Sequence, residues 1–156
     1  MHRLSFVFVI MLAGFAARLY AADEKPLEGD LKELQGEWRM VSAESEGMSL
    51  PDELVKAIRM TFKGDEMSMR MSGDGQDDHK ATIKLDAAKT PKTIELVPAD
   101  GPESGKTIMG IYELDGGKLK ICAASKSGDE TTRPKELKSA GETKTILFVL
   151  ERVKEK

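Results

Sequence analysis

Hydrophobic and polar residues alternate along most of the chain after residue 30, and glycine, proline or aspartate interrupts the alternation at intervals of roughly ten residues. The alternation is clearest where single polar residues separate Met67, Met69 and Met71. A period of two predicts antiparallel strands with one buried and one solvated face. We predict eight strands, over residues 37–46, 59–63, 66–72, 79–86, 92–97, 106–114, 118–124 and 144–153.

One short helix is predicted between the first two strands, over residues 51–58. Pro51 suits the first turn of a helix, and Leu54, Val55 and Ile58 fall on one helical face. The last strand is apolar on both faces, so another element must cover its outer side. We expect the helix to provide this cover.

Eight sequential antiparallel strands predict a mostly β, single up-and-down eight-stranded barrel, a closed form that leaves no exposed edge. Glycine-containing turns at Lys63-Gly64-Asp65 and Asp115-Gly116-Gly117 predict two of its hairpins. A two-sheet sandwich is the alternative. The barrel is favoured because Gly36-Glu37-Trp38 opens the first strand and Arg152 ends the last. In these residues the chain resembles a lipocalin-like barrel, in which such an indole lies at the closed base with an arginine across it. The resemblance implies a structural role for Gly36, Trp38 and Arg152, with a cation–π contact between the last two.

The N-terminus has the pattern of a cleavable secretory signal: a short basic start, an apolar stretch over 4–17, and small residues at Ala21 and Ala22. We therefore predict a signal peptide (1–21), a linker (22–30) and a lipocalin-like β-barrel domain (31–156). An uncleaved anchor is the less favoured alternative, because the apolar stretch is short and ends at Arg18. The protein is expected in the periplasm, at the cell surface or outside the cell, without a transmembrane segment after cleavage.

Charge and cysteine content narrow the range of partners. The whole chain of 156 residues has a net charge of -3, and removal of residues 1–21 leaves 22 basic and 27 acidic residues, a net charge of -5. This surplus of acid argues against nucleic acid and anionic membranes as partners. Cys122 is the only cysteine, so an internal disulfide is excluded, and a monomer held by its hydrophobic core is expected.

No catalytic or metal-binding motif stands out. His79 is the only histidine after signal cleavage, which excludes a two-histidine zinc site, and strand parity places it on the opposite side of the sheet from Cys122. The stretch 101–107 is one residue short of a phosphate-binding loop and precedes a strand rather than a helix. The acidic stretch 74–78 lacks the glycine and the glutamate of a calcium loop. We predict no cofactor and no metal.

Methionine is the one unusual feature of the composition. Met60, Met67, Met69 and Met71 fall on the inward parity of two adjacent strands. Core filling, an adaptable apolar pocket and a copper(I) site remain open as interpretations, because thioethers are flexible, polarizable and soft. Arg133, which precedes a proline in the last long loop, is a further candidate. It either binds a carboxylate or recognises a partner at the barrel mouth, or it is a solvated arginine in a rigid turn, which is the favoured interpretation.

Small barrels of eight strands either fill with their own side chains or hold one small ligand. The first hypothesis is a binding module for a small apolar or amphipathic ligand. The alternative is a filled barrel that binds an exported protein or an envelope polymer, and an enzyme ranks last. The candidate ligand-binding residues are the predicted inward-facing side chains Met60, Phe62, Met67, Met69, Met71, His79, Ile83, Ile94 and Tyr112.

Several short stretches across nearly the whole predicted domain carry a further resemblance. They are Leu34-Gln35-Gly36-Glu37-Trp38, Thr61-Phe62-Lys63-Gly64-Asp65, Lys89-Thr90-Pro91-Lys92-Thr93-Ile94, Gly110-Ile111-Tyr112-Glu113-Leu114-Asp115-Gly116, Leu119-Lys120-Ile121-Cys122 and Arg133-Pro134. In them the chain resembles a paralogous family of exported planctomycete proteins with a lipocalin-like (calycin-type) domain. The chain departs from that pattern at Gly117, where aspartate is usual, and after Arg133-Pro134, where Lys135-Glu136-Leu137 stands in a stretch that usually reaches a phenylalanine. The resemblance implies export and fold, and it brings no established activity.

Overall fold

The computed structural model of this protein describes residues 27–72 and 78–154, so the predicted signal peptide and the acidic stretch 74–77 lie outside the described residues. The described part contains nine strands, two short α-helices and one 3₁₀ helix. The helices are α1 (Gly29–Leu34), α2 (Asp52–Ala57) and the 3₁₀ helix Glu130–Thr132. The strands are β1 (Gly36–Ser45), β2 (Met48–Ser49), β3 (Ile58–Lys63), β4 (Glu66–Met71), β5 (His79–Asp86), β6 (Thr93–Pro98), β7 (Ile108–Asp115), β8 (Lys118–Ala124) and β9 (Thr145–Arg152).

The strands form one closed antiparallel barrel. Each of β3 to β8 pairs with the next strand in the sequence, β1 pairs with β3, and β1 also pairs with β9, which closes the sheet around eight strands. The short β2 is a ninth strand, which the alternation did not predict, and it pairs only with the end of β1. The mostly β closed barrel is confirmed, and the eight predicted strands match the barrel strands to within two residues at each end.

Two of the hairpins have the predicted turns. Gly64, between β3 and β4, has a φ of +62°, and Gly116, between β7 and β8, has a φ of +55°. These backbone angles favour glycine because it has no Cβ to clash with the backbone. Both turns lie at the end of the barrel that contains Gly36, which we call the base; the opposite end is the upper end.

The helix α1 closes the base and was not predicted. Gly29 and Asp30, the last two residues of the predicted linker, form its first turn. Leu34 at its C-terminus is 1% exposed, and its carbonyl oxygen accepts a 2.8 Å hydrogen bond from Nε1 of Trp38. The predicted contact between Trp38 and Arg152 is present, with the guanidinium over the indole ring.

The helix α2 forms where a helix was predicted, but two expectations about it were wrong. Val55 and Ile58 are buried as expected, whereas Leu54 is 45% exposed. The main contacts of α2 are with β1 rather than with the last strand, because the helix is only six residues long and directly links β1 and β2 to β3. On the outer side of β8 and β9 the loop 125–144 folds back, and the Lys138 carbonyl oxygen accepts a 3.1 Å hydrogen bond from Oγ1 of Thr145.

The core consists of apolar side chains from every barrel strand except β4, whose Met67 and Met69 are only partly buried against it. One connected cluster of buried residues includes Leu34 of α1 and Val55 of α2 at the two ends. Its other members are Trp38, Met40, Ala43, Ile58, Met60, Phe62, Ile83, Ile94, Leu96, Tyr112, Leu119, Ile121, Ala123 and Leu150. None of the helices within residues 27–72 and 78–154 is long and apolar enough to cross a membrane.

Candidate functional site

Most of the predicted interior ligand-binding residues belong to the packed core. Met60, Phe62, Ile83, Ile94 and Tyr112 are each at most 3% exposed and belong to one cluster. Their side chains therefore contact one another and their neighbours in the barrel, as closely packed interiors require. Of these five, Ile83 alone also lines a cleft, which opens at the base.

The methionines form a row with a gradient of exposure. Met60 pairs with Met69 and Phe62 with Met67 across the β3–β4 ladder, and both Met67 and Met69 are partly buried against the core. Met71, one step further toward the upper end, is 44% exposed. The structure thus brings the methionines together on one wall, as the parity predicted, and leaves the outermost of them in solvent.

His79 and Cys122 are in different environments. Nδ1 of His79 lies 3.0 Å from Oδ1 of Asp100, and the histidine side chain is largely exposed at the upper end of β5. Cys122 is fully buried, and burial raises the pKa of its thiol, which lies 3.5 Å from the Lys138 carbonyl oxygen beneath the β8–β9 loop. A thiol with a raised pKa is a poor nucleophile.

An open cleft of about 1250 Å³, which we call the base cleft, lies between α1 and β5. The cleft opens where β5 extends beyond the base end of β4. The β4–β5 ladder stops at the pair Glu66–Thr82, whereas the β5–β6 ladder continues to the pair Asp86–Thr93. The apolar part of its wall consists of Leu27, Leu31, Ile83, Leu85 and Ala87.

A polar cluster holds α1 against the base. Oδ2 of Asp30 accepts a 2.7 Å hydrogen bond from Nζ of Lys92 and a 2.8 Å hydrogen bond from the hydroxyl of Tyr112. The bond from Lys92 is the main cause that lowers the pKa of Asp30. Burial, followed by the bond to Asp30, raises the pKa of Tyr112 well above its usual range. Asp30 therefore stays ionised and Tyr112 neutral near pH 7.

Gln35 joins α1 to the β3–β4 turn. Its amide nitrogen donates to the carbonyl oxygens of Leu31 and Gly64, at 2.8 and 2.9 Å, and its amide oxygen accepts from the Gly64 nitrogen at 2.6 Å. With all three bonds made inside the fold, Gln35 sets the position of the cleft wall rather than offering a free amide.

Charged residues line the base cleft around its apolar wall. The acidic residues are Glu28, Asp30, Asp65 and Glu66, and the basic residues are Lys63 and Lys84. Two of the acids form salt bridges with lysines that do not line the cleft: Asp30 pairs with Lys92, and Glu66 pairs with Lys80. The two remaining acids equal the two lysines in number, so the cleft combines an apolar wall with a charged rim of balanced sign.

Arg133 does not lie where either prediction expected it. Its side chain is only 11% exposed, so it is not a solvated arginine, and it lies on the outer wall rather than in the mouth. It donates to the carbonyl oxygens of Ile94 and Gly110, at 3.2 and 2.7 Å, and pairs with Glu130 and Glu95. The carboxylates that it binds belong to this chain, and it fastens the loop 125–144 to β6 and β7.

The alternation of hydrophobic and polar residues did not predict the base cleft, because α1, which forms one side of the cleft, lies in a short polar segment. A signal was nevertheless present: Leu27, Leu31 and Leu34 are spaced four and three residues apart, which is the spacing of one helical face. Within residues 27–72 and 78–154 no group of three or more histidine, cysteine, aspartate or glutamate side chains is arranged to hold a metal ion.

The architecture defines a class of protein, a small closed antiparallel β-barrel with a helix across its base. Comparisons with protein-family models, with curated proteins and with solved structures find no match.

Proposed function

We propose that this protein is an exported binding module of the lipocalin-like class, and that it takes a small amphipathic ligand in the base cleft. The fold supports the class, because the barrel is closed and antiparallel and because Arg152 packs on Trp38 beside α1. The apolar wall of the cleft supports the proposal that the ligand is amphipathic.

Leu27, Leu31 and Leu85 are each only partly buried, although Leu31 and Leu85 also contact the buried core. Removal of accessible apolar surface from water is favourable by about 25 cal/mol per Å². A ligand that covers this wall therefore gains binding free energy. The single observation behind the proposal is this accessible apolar wall within a cleft of about 1250 Å³. Ligand sites are commonly concave and mostly apolar, with a few polar groups that fix orientation.

The charge of the protein supports a choice of head group. Once the two acids that pair with lysines are set aside, two acids and two lysines remain in the rim, so the rim itself is balanced, whereas the chain as a whole has a net charge of -3. A cationic or neutral head group therefore meets less repulsion from the protein than a carboxylate does. We place the ligand here rather than deep in the barrel because Met60, Phe62 and Ile94 would have to separate to admit it.

Binding is tested by titrating the protein with dodecylamine and with dodecanoate, which share a chain length and differ in head-group charge. We expect saturable binding of dodecylamine with the higher affinity. The variant Leu85→Lys should weaken this binding by about tenfold, since it removes apolar contact and adds a cation.

Leu114→Lys is the matched control, because Leu114 is likewise partly buried against the core and does not line the cleft. Both variants are checked for native circular dichroism before titration. Equal loss of affinity in both variants, or no binding of either amphiphile, contradicts the proposal. Native mass spectrometry of protein purified from its own host then gives the mass of the natural ligand.

Export is part of the proposal and has its own test. The protein expressed with its own N-terminus should be recovered from the periplasm or medium with Ala22 or Asp23 as its first residue. Recovery with an intact Met1 contradicts export by cleavage.

The continuous core favours a second candidate function, a filled barrel that acts through its surface. In that case the base cleft binds neither amphiphile, and the loops bind an exported protein or an envelope polymer. The dodecylamine titration therefore separates the two candidates directly.

A further inference from the structure

A second cleft lies at the upper end, between the β8–β9 loop (125–144) and the outer ends of β8 and β9. We call it the loop cleft; its volume is about 710 Å³ and it is open to solvent. It lies at the opposite end of the barrel from the base cleft, since Ala124 and Thr145 at its floor are the upper ends of their strands.

The loop that forms this cleft is unusually long for its place in the fold. Antiparallel neighbours are usually joined by about two to five residues, and longer ordered loops often carry binding sites. This loop spans 125–144, and the 3₁₀ helix is its one regular element. Its length is therefore not explained by the need to connect β8 to β9.

Hydrogen bonds to the barrel hold the loop at two points. Arg133 holds the first half through the carbonyl oxygens of Ile94 and Gly110. The buried Ser139 holds the second half: its hydroxyl donates to the Thr145 carbonyl oxygen at 3.0 Å and accepts from the Gly47 nitrogen at 2.9 Å. The cleft is therefore preorganised, which lowers the entropy lost on binding.

The lining of the loop cleft is rich in lysine. Lys126, Lys135, Lys138 and Lys144 line it, and no ion pair holds any of the four in the part of the chain that the structure describes. The acids in the lining are Glu136 and Glu142. Arg133 adds no free charge, because Glu130 and Glu95 already match it.

The surplus of positive charge is local. The chain as a whole has a net charge of -3, so four lysines around one preorganised cleft stand out against an acidic surface. Glu103, which lies beside the cleft, accepts a 3.1 Å hydrogen bond from the Ser127 nitrogen and so helps to hold the loop. Lysine ammonium groups bind phosphate as compact point charges with three donors each.

We propose that the loop cleft binds a phosphate or sulfate group, either free or carried by a polysaccharide of the cell envelope. Because this site is separate from the base cleft, the proposal goes beyond the binding of an amphiphile. It also gives the long, anchored loop a function that closure of the barrel does not require.

The test uses the full chain recovered after expression with its own N-terminus, and two probes, pyrophosphate and a sulfated polysaccharide such as heparin. Calorimetric titration at about 50 mM salt keeps screening modest. The double variant Lys135→Gln/Lys138→Gln should weaken binding of whichever probe binds by about tenfold or more, because two charge-assisted contacts are lost.

Lys118→Gln/Lys120→Gln is the control. It removes the same charge from exposed positions of β8 outside the loop cleft, and it should change the affinity less than about twofold. Binding of pyrophosphate shows that a free anion is sufficient as the ligand of the loop cleft. Binding of the polysaccharide alone shows that the ligand is a polymer, and either outcome supports the site. Failure of both probes to bind, or equal losses in the two double variants, overturns the proposal and leaves the base cleft untouched.

Discussion

The guanidinium carbon of Arg152 lies 4.4 Å from the centroid of the Trp38 ring. The same guanidinium donates to the carbonyl oxygens of Gln35, at 2.7 Å, and Glu33. Because Trp38 Nε1 in turn donates to the Leu34 carbonyl oxygen, the last strand, the first strand and α1 are joined at one point. The contact thus fixes the helix that forms one side of the base cleft.

The contact predicts a large effect of Trp38→Ala. Trp38 is fully buried, so truncation leaves a cavity and should lower the free energy of unfolding by about 3 kcal/mol or more. Val41→Ala, on the same strand but 46% exposed, should change it by less than about 0.5 kcal/mol. Urea unfolding followed by circular dichroism measures both, and similar small losses would show that Trp38 is not at a packed base.

Acid should weaken the attachment of α1 through Asp30. Its pKa is lowered in the folded protein, chiefly by the bond from Lys92, so its stabilisation is complete above the unfolded value of about 3.9 and is lost as the pH falls through the folded value. We expect Asp30→Asn to cost about 1–2 kcal/mol at pH 7 and progressively less below about pH 4. A cost that does not change with pH would contradict this assignment.

Tyr112 should resist ionisation. Burial and its bond to Asp30 raise its pKa, so the neutral form is the one that the fold stabilises, and that stabilisation is lost as the pH rises above the unfolded value of about 10. Because Tyr20 lies in the predicted signal peptide, Tyr112 is the one tyrosine expected after cleavage. The absorbance of the cleaved protein at the phenolate band should stay flat to about pH 11 and rise only on unfolding. A reversible rise near pH 10 in folded protein would contradict the burial of this hydroxyl.

A side chain at Gly110 should lower the stability of the fold. A Cβ at this position would lie 2.9 Å from the Cys122 carbonyl oxygen and 3.0 Å from Cγ2 of Ile94. Gly110→Ala should therefore cost about 1–3 kcal/mol of unfolding free energy through overpacking. Gly117→Ala, where nothing lies within 4 Å, is the control and should be nearly neutral in thermal unfolding. Equal stability of the two variants would mean that β7 and β8 can separate at Gly110.

The strands could be predicted from the sequence because their order depends on local alternation and on turn residues. A few residues are enough to predict the strand that contains Met67 to Met71 and the turns at Gly64 and Gly116. The packing of Trp38 on Arg152 was predictable for a different reason, because Gly36-Glu37-Trp38 and the arginine of the last strand resemble the arrangement in lipocalins. Closure of the barrel brings the first and last strands together as that resemblance implies.

The clefts could not be predicted in the same way, because they depend on contacts between residues far apart in the sequence. Asp30 meets Tyr112 across 82 positions, and Arg133 meets the Ile94 carbonyl oxygen across 39. Alternation carries no information about such pairs. Helical spacing gave a wrong expectation for the exposure of Leu54, because a helix of six residues buries only part of the face that its spacing suggests.

The occupancy of the base cleft is measured most directly by methyl NMR on leucine- and isoleucine-labelled protein during titration with dodecylamine. If dodecylamine binds in the base cleft, the methyl groups of Leu31, Ile83 and Leu85 should show saturating shifts, with little change at Ile121 and Leu150 in the core. Shifts centred on Ile121 and Leu150 would place the ligand inside the barrel, and no saturating shift at any of these positions would contradict the base cleft as a binding site.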